Sequence, residues 1–512
     1  MMESQNLDSL GDDQAFEQVG LMIDGASDSN NRNLIDDAIR LLDNLATRPT
    51  LSGEQRILAH YFRANAFETK LRQAGGVRSS KWDILHFDNV LFELRSAVRH
   101  DDFPTLDPLR QCQILTNLGS SLNAVGRPVE ALQQWARAIE IIPGFAIALG
   151  NRGIGLAHYG KFLYDERDRA LLGFGAYKSY RAAAAKGTLY DSPEGYRHRS
   201  TYIKDAETIA NYVDVDRARE VLEEEFSLGR SKAERAYRTW ALQNRLFLNP
   251  LNDIGEYSIA AHDVLHLPSL TTEISAEPPA LFGFYNQMKQ EFASARWLLF
   301  EGLTEGTTHF SDRGAYLIDT LGLPAYSLGV EKIKLAFRMA YSLLDKVAYF
   351  INDYFEVGLP GNKVSFRSVW YKPKGEPKVL SSTFEDRPNW PLRGLYWLSR
   401  DIYEPAFKGV AEPSAQGLAD VRNYLEHKYC QVYEDLGIEY SKQSTTRNGV
   451  SLGLHIGRDA LEAKTMQILG IARATLIYLS LAIHREEAER NKSRGAGIVA
   501  RMPLQVLPKK RM

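Results

Sequence analysis

At 421–429 the chain reads V-R-N-Y-L-E-H-K-Y, which sets Arg422, Asn423, Glu426 and His427 within a few residues of one another. Histidine is the side chain that gives or takes a proton near neutral pH. A guanidinium presents a planar fork of donors that meets two anionic oxygens at once. Arg422 and His427 are therefore the residue types for proton transfer beside an anion. On a helix at about 100° per residue, Arg422 and Glu426 are i,i+4 neighbours, and so are Asn423 and His427. Leu418, Val421, Leu425, Tyr429, Val432 and Leu436 then cluster within roughly 80°, the expected buried stripe. Arg422, Asn423, Glu426, His427 and Cys430 occupy an adjacent arc of roughly 140°. A solvated helix face with one ion pair shows the same pattern, so periodicity alone leaves both readings open.

Other chemistries find less support. His262 and His266 have the i,i+4 spacing of a two-histidine metal site, but the glutamate of H-E-x-x-H and an evident third ligand are missing. No G-K-[ST] phosphate loop and no G-x-S-x-G elbow occurs, and the glycines of G-N-R-G-I-G-L do not complete a dinucleotide fingerprint. Neither a metal nor a cofactor is expected. His455 and His484 fall on or beside the last predicted helix and read as core or surface residues. The 2 cysteines, Cys112 and Cys430, lack C-x-x-C spacing, which argues against a disulfide scaffold or thiolate zinc and for a reducing compartment. A net charge of -2 advertises neither nucleic acid nor membrane, so any charged site must be local. The opening M-M-E-S-Q-N-L-D-S-L-G-D-D has no apolar run, and no stretch reads as a membrane span. A cytoplasmic protein without membrane contact is the expectation.

A chain of 512 residues exceeds one compact core, so two or three domains are expected to position these residues. No sustained period-two alternation occurs, and helix succeeds helix across short turns, which predicts an all-α protein. In I-L-T-N-L-G-S-S-L-N-A-V-G-R-P-V-E-A-L-Q-Q-W-A-R-A-I-E-I-I-P, residues Leu118, Gly119, Leu122, Gly126, Ala131, Trp135, Ala138 and Pro143 resemble a tetratricopeptide repeat. Small Gly119 and Ala131 let two antiparallel helices approach, Trp135 fills the gap, and Pro143 ends the second helix. About 34 residues on, Asn151, Gly153, Leu156 and Gly160 repeat Asn117, Gly119, Leu122 and Gly126. The resemblance implies a tetratricopeptide-like α-solenoid whose concave face binds a protein or peptide of unknown identity. The alternative is an array that only orients or dimerises the C-terminal half of the chain.

The pattern breaks at Asn249-Pro250, and Pro268, Pro278 and Pro279 come soon after. The expected organisation is an acidic segment at 1–30, a helical repeat domain at 31–248, a linker at 249–279, a helical bundle at 280–488 and a basic tail at 489–512. Bundle helices are predicted at 280–303, 330–355, 391–407, 417–436 and 456–487. An insertion loop carries Lys363, Arg367, Lys372, Lys374 and Lys378 with Trp370 and Tyr371 interleaved, and the tail opens with Arg490, Lys492 and Arg494. Such cations could track an RNA backbone, and the two aromatics could stack bases if exposed.

The six residues R-N-Y-L-E-H, Arg422 to His427, resemble the R-x4-H motif of the HEPN superfamily, where a small polar residue follows the arginine on a late helix of an α bundle. Arg95 to His100 also satisfies R-x4-H, but lacks the following Asn and reads as a surface arginine and histidine at a helix end. The resemblance implies a metal-independent endoribonuclease, with His427 as acid–base group, Arg422 stabilising charge on phosphorus and Asn423 orienting His427 or binding phosphate. Glu426 would hold Arg422 in place. It further implies a homodimer with a composite site, 2′,3′-cyclic phosphate and 5′-hydroxyl products, and regulation through the repeats as in a toxin or antiviral effector. The motif extends to H-x-Y at Tyr429, similar to HEPN toxins paired with nucleotidyltransferase antitoxins, where that tyrosine can be adenylylated. The rival expectation is a non-catalytic scaffold whose bundle binds RNA or nucleotide, or only dimerises.

Overall fold

A Cβ added at Gly119 would stand 2.6 Å from the Trp135 indole nitrogen, and one at Gly155 would collide with the far edge of the same ring. Three helices therefore close on one buried tryptophan, whose Nε1 donates to Thr116 O at 3.2 Å. In the computed structural model, residues 10–76, 81–82, 84, 86–271, 280–305, 308–318, 324–373, 379–404, 415–434, 446–447, 450–451 and 453–493 are described. Among them lie sixteen α-helices and four short strands, so the protein is all-α.

The N-terminal helices are α1 (Asp12–Asp28), α2 (Arg32–Ala46), α3 (Gly53–Gln73), α4 (Phe87–Arg99), α5 (Pro108–Ala124) and α6 (Pro128–Ile141). They continue as α7 (Ala146–Gly160), α8 (Glu166–Ala183), α9 (Pro193–Ala210), α10 (Val215–Glu223) and α11 (Lys232–Gln243). From α1 to α9 each helix packs on the next, the local stacking that a solenoid requires. Their starts follow from side-chain chemistry. Asn31, Ser52, Asp107, Asp165, Ser192, Asp214 and Ser231 each cap the helix after them by accepting a first-turn amide. Part of the segment read as merely acidic is α1, whose Phe16, Val19 and Ile23 are buried against α2 and α3.

The C-terminal helices are α12 (Ala280–Thr304), α13 (Leu328–Tyr354), α14 (Trp390–Tyr403), α15 (Ala415–His427) and α16 (Arg458–Ser493). The strands are β1 (Tyr429–Tyr433), β2 (Thr446–Arg447), β3 (Val450–Ser451) and β4 (Gly453–Gly457). Four of the five helices lie close to their predicted ranges. The helix predicted over 417–436 does not, since it stops at His427 and the chain turns into β1, which pairs in parallel with β4. Contrary to the sequence reading, α16 is long and apolar enough to cross a membrane by length and composition, although 78% of its apolar window is buried inside the protein.

The two halves share one continuous hydrophobic core that runs from Ile57 to Ile483. The segment expected as a linker is part of it over 249–271. Asn249, Asn252 and Asp253 are buried, and Arg473 of α16 donates to Asp253 Oδ1 and Phe247 O, both at 2.6 Å, and to Asn249 O at 3.0 Å. Prolines there interrupt helices without loosening the chain. The supposed surface arginine Arg95 is also buried, its fork meeting both oxygens of Asp401 on α14 at 2.6 Å. Arg127, Glu130 and Tyr478 extend this polar seam between the halves. Burial alone would raise the Asp401 carboxyl, but Arg95 and Arg127 outweigh it and hold the group below the ordinary carboxylate range.

Candidate functional site

Leu418 and Val421 anchor α15 by burial against α13 and α14. The next residue, Arg422, is half-buried; Asn423, Glu426 and His427 are exposed. Arg422 donates from Nη1 to Asn423 Oδ1 at 3.2 Å, and its guanidinium carbon stands 5.8 Å from the ring centre of Tyr341 on α13. Asn423 therefore orients the arginine rather than the histidine. Glu426 does not clasp Arg422. It accepts from Arg338 of α13, Nε to Oε1 at 3.1 Å and Nη2 to Oε2 at 3.2 Å. That guanidinium pulls the Glu426 carboxyl below its ordinary pKa. Arg422 is left without a carboxylate ion pair among the described residues.

The α13 face opposite carries Arg338, Tyr341, Ser342, Asp345, Lys346 and Tyr349, and with Arg422 and Glu426 it lines a cleft of about 280 Å³. These positions recur at helical spacing, so one face of α13 faces the motif. Sequence reasoning missed them, although the i, i+3, i+4, i+7 recurrence of polar groups in a long helix was the available signal. Lys346 pairs with Glu291, Asp345 Oδ1 accepts from Phe366 N at 3.0 Å, and Tyr349 donates to Gly361 O at 2.7 Å. The last two bonds bring the expected insertion loop against the cleft.

On that loop Lys363, Arg367 and Lys372 are exposed. Trp370 is not. It is 0% exposed, packed on Trp82, Phe384 and Tyr396, so it has no face to offer a base. Tyr371 is half-buried and donates to Glu404 at 3.0 Å. Arg490 and Lys492 belong to the end of α16. Arg490 pairs with Glu487 at 3.2 Å and lies over the Tyr354 ring, while Lys492 pairs with Glu489 at 3.1 Å. Lys374, Lys378 and Arg494 lie outside the described residues.

His427 is the last residue of α15. No hydrogen bond orients its ring among the described residues, and Lys428 already begins the turn with its amide on Tyr424 O at 3.2 Å. Beyond it, Y-C-Q-V-Y suits a strand, and Tyr429 pairs with Gly453, Cys430 with Leu454 and Val432 with Ile456. Cys430 is thereby buried rather than on the polar face. Tyr429, expected at the edge of a buried stripe, is 43% exposed, and its hydroxyl shares a hydrogen bond of 3.1 Å with Tyr326. Partial burial and Tyr326 push its pKa up to about 12. His455 is in β4, bonded through Nδ1 to the Tyr433 hydroxyl at 2.9 Å; His484 bonds Phe162 O at 2.8 Å. His262 and His266 make separate contacts, with Arg238 and with Leu267 O.

The helices that hold this cleft fall within residues 272–486, which match the family model described as LA2681-like HEPN. The C-terminal region is a HEPN domain. No curated protein and no solved structure matches the chain. The HEPN match spans α12 to most of α16 and includes Arg422, Asn423, Glu426 and His427. Helices α1 to α11 lie outside it.

Proposed function

We propose that the HEPN domain is an endoribonuclease in which His427 moves the protons and Arg422 stabilises the charge that builds on phosphorus. The observation that carries this reading is the division of labour on α15. Arg338 draws Glu426 away, Asn423 and Tyr341 hold the Arg422 guanidinium at the wall of a cleft, and Arg422 keeps its remaining donors for an incoming phosphate. In the reaction the 2′-oxygen of RNA loses its proton and bonds to the adjacent phosphorus, the bond to the 5′-oxygen breaks, and that oxygen receives a proton. The products are a 2′,3′-cyclic phosphate and a 5′-hydroxyl. One histidine serves as base and acid in turn, whereas two copies of α15 facing each other would supply one group for each transfer. A homodimer with a shared cleft is therefore part of the proposal, as is tracking of the RNA backbone by Lys363, Arg367 and Lys372 beside the cleft. The helical stack α1 to α9 is proposed to hold a protein partner that restrains the nuclease.

The test compares wild type with His427→Ala and Arg422→Ala on structured and single-stranded RNA in EDTA. Wild type is expected to leave cyclic phosphate ends, and either substitution to remove at least about 10²-fold of the rate. If wild type and His427→Ala are equally active, or equally inert, the reading fails. One observation favours a non-catalytic bundle that binds RNA or nucleotide, namely that nothing described orients the His427 ring. In that case RNA is retained with no difference in cleavage between the variants.

A further inference from the structure

A second cavity, of about 200 Å³, lies where the helical stack meets the HEPN domain, between α6, the turn after α11, α14, α15 and α16. Its body is apolar, walled by Leu398, Ile402, Leu418 and Ile471. Most polar groups on its floor are already satisfied. Arg127 pairs with Glu130 and Asp401, and Arg473 with Asp253. Two lining groups differ. The Gln467 side-chain nitrogen is buried and has no acceptor, a donor that costs free energy unless something supplies a lone pair. Arg245, half-buried and held at φ 53 just past the end of α11, has no ion pair among the described residues.

The charge around Arg245 is unbalanced as well. Arg152, which donates to Ile254 O at 3.0 Å, also lacks a carboxylate among the described residues, and burial together with the Arg245 charge lowers its pKa. In the N-terminal half of α16, Gly470 lines the same cavity, and a Cβ built there meets nothing within 4 Å. A glycine inside a long helix is disfavoured relative to alanine. Here its missing side chain leaves the cavity open.

We propose that this junction cavity binds a small organic anion, its apolar body between α14, α15 and α16, its negative group at Arg245 and an acceptor atom on the Gln467 nitrogen. The occupant touches Leu418, one turn before Arg422 on the same helix. The site is separate from the RNA-cleaving cleft, and its test does not depend on nuclease activity.

The probes are phenylacetate and phenyl phosphate, titrated into the full chain by calorimetry with thermal unfolding in parallel. At least one is expected to bind saturably, and the difference between them shows whether the site takes a carboxylate or a phosphate. Gly470→Leu fills the cavity from a position with free space and is expected to fold with an undiminished Tm and lose binding. Arg245→Gln, at a half-buried turn, is expected to weaken binding about tenfold through loss of one charge-assisted contact. Gly470→Ala provides a smaller plug should the leucine variant not fold. Absence of saturable binding by both probes, or binding that survives filling at Gly470 and loss of the Arg245 charge, overturns the proposal.

Discussion

Glu426 and Arg422 stand one helical turn apart, yet the carboxylate turns to Arg338 on the neighbouring helix. That choice decides what Arg422 is free to do. On the proposed nuclease reading, Arg338→Gln is expected to release Glu426 toward Arg422, where the carboxylate competes with phosphate, so RNA affinity and cleavage fall in filter-binding and rate assays. Stability should change by less than about 1 kcal/mol, because the Arg338–Glu426 pair is substantially exposed. A variant that loses stability rather than RNA binding would contradict this role. Arg422→Lys keeps the charge but removes the planar fork, and the proposed cleavage should drop by about 10²-fold with the fold intact. These residue types were legible as a motif. Their partners were not, since Arg338 lies on a different helix and Tyr341 reaches Arg422 only through tertiary packing.

Helix α15 shows where periodicity misleads. Leu418, Val421 and Leu425 follow the helical stripe, and Val432 continues it numerically, but the backbone changes from helix to strand after His427. The decisive interaction is pairing of β1 with β4 and with the Ala325 amide, which donates to Val432 O at 2.8 Å. Non-local pairing of this kind leaves little trace in a sliding window. Stopping the helix puts His427 at an exposed end and turns Tyr429 outward beside Tyr326. In the stack the reverse holds: glycine, alanine and tryptophan at repeat spacing encode a close helix approach that the structure contains. Trp135→Ala is expected to cost about 3–5 kcal/mol in urea unfolding, because Gly119 and Gly155 leave nothing to fill the void. A loss below about 1 kcal/mol would mean that the helices collapse onto the space.

Stack and HEPN domain are joined by buried charge as well as by apolar packing. Asp401 receives Arg95 and Arg127 from the stack, and removing one partner from such a site leaves uncompensated guanidinium charge. Asp401→Asn is therefore expected to cost about 3–5 kcal/mol. Because the folded pKa of Asp401 lies below its unfolded value near 3.9, its contribution is full above that pH and is lost as pH falls through the folded value. The variant should show a shallower loss of stability with acid than wild type, read as Tm against pH. The continuous core also predicts that both halves unfold in one cooperative transition. Separate transitions by near-UV and far-UV circular dichroism would contradict that.

By itself the sequence determined the helical class, the close-packed helices around Trp135 and most C-terminal helix positions, and it singled out Arg422, Asn423, Glu426 and His427 as neighbours on one helix. All of these rest on short-range recurrence, where residues three or four apart share a face. Only the tertiary structure decided that Glu426 serves Arg338, that Trp370 is core, that 249–271 is packed rather than linking, and that α15 ends at His427. Those outcomes depend on groups tens to hundreds of residues apart, brought together by burial, and no local spacing encodes them.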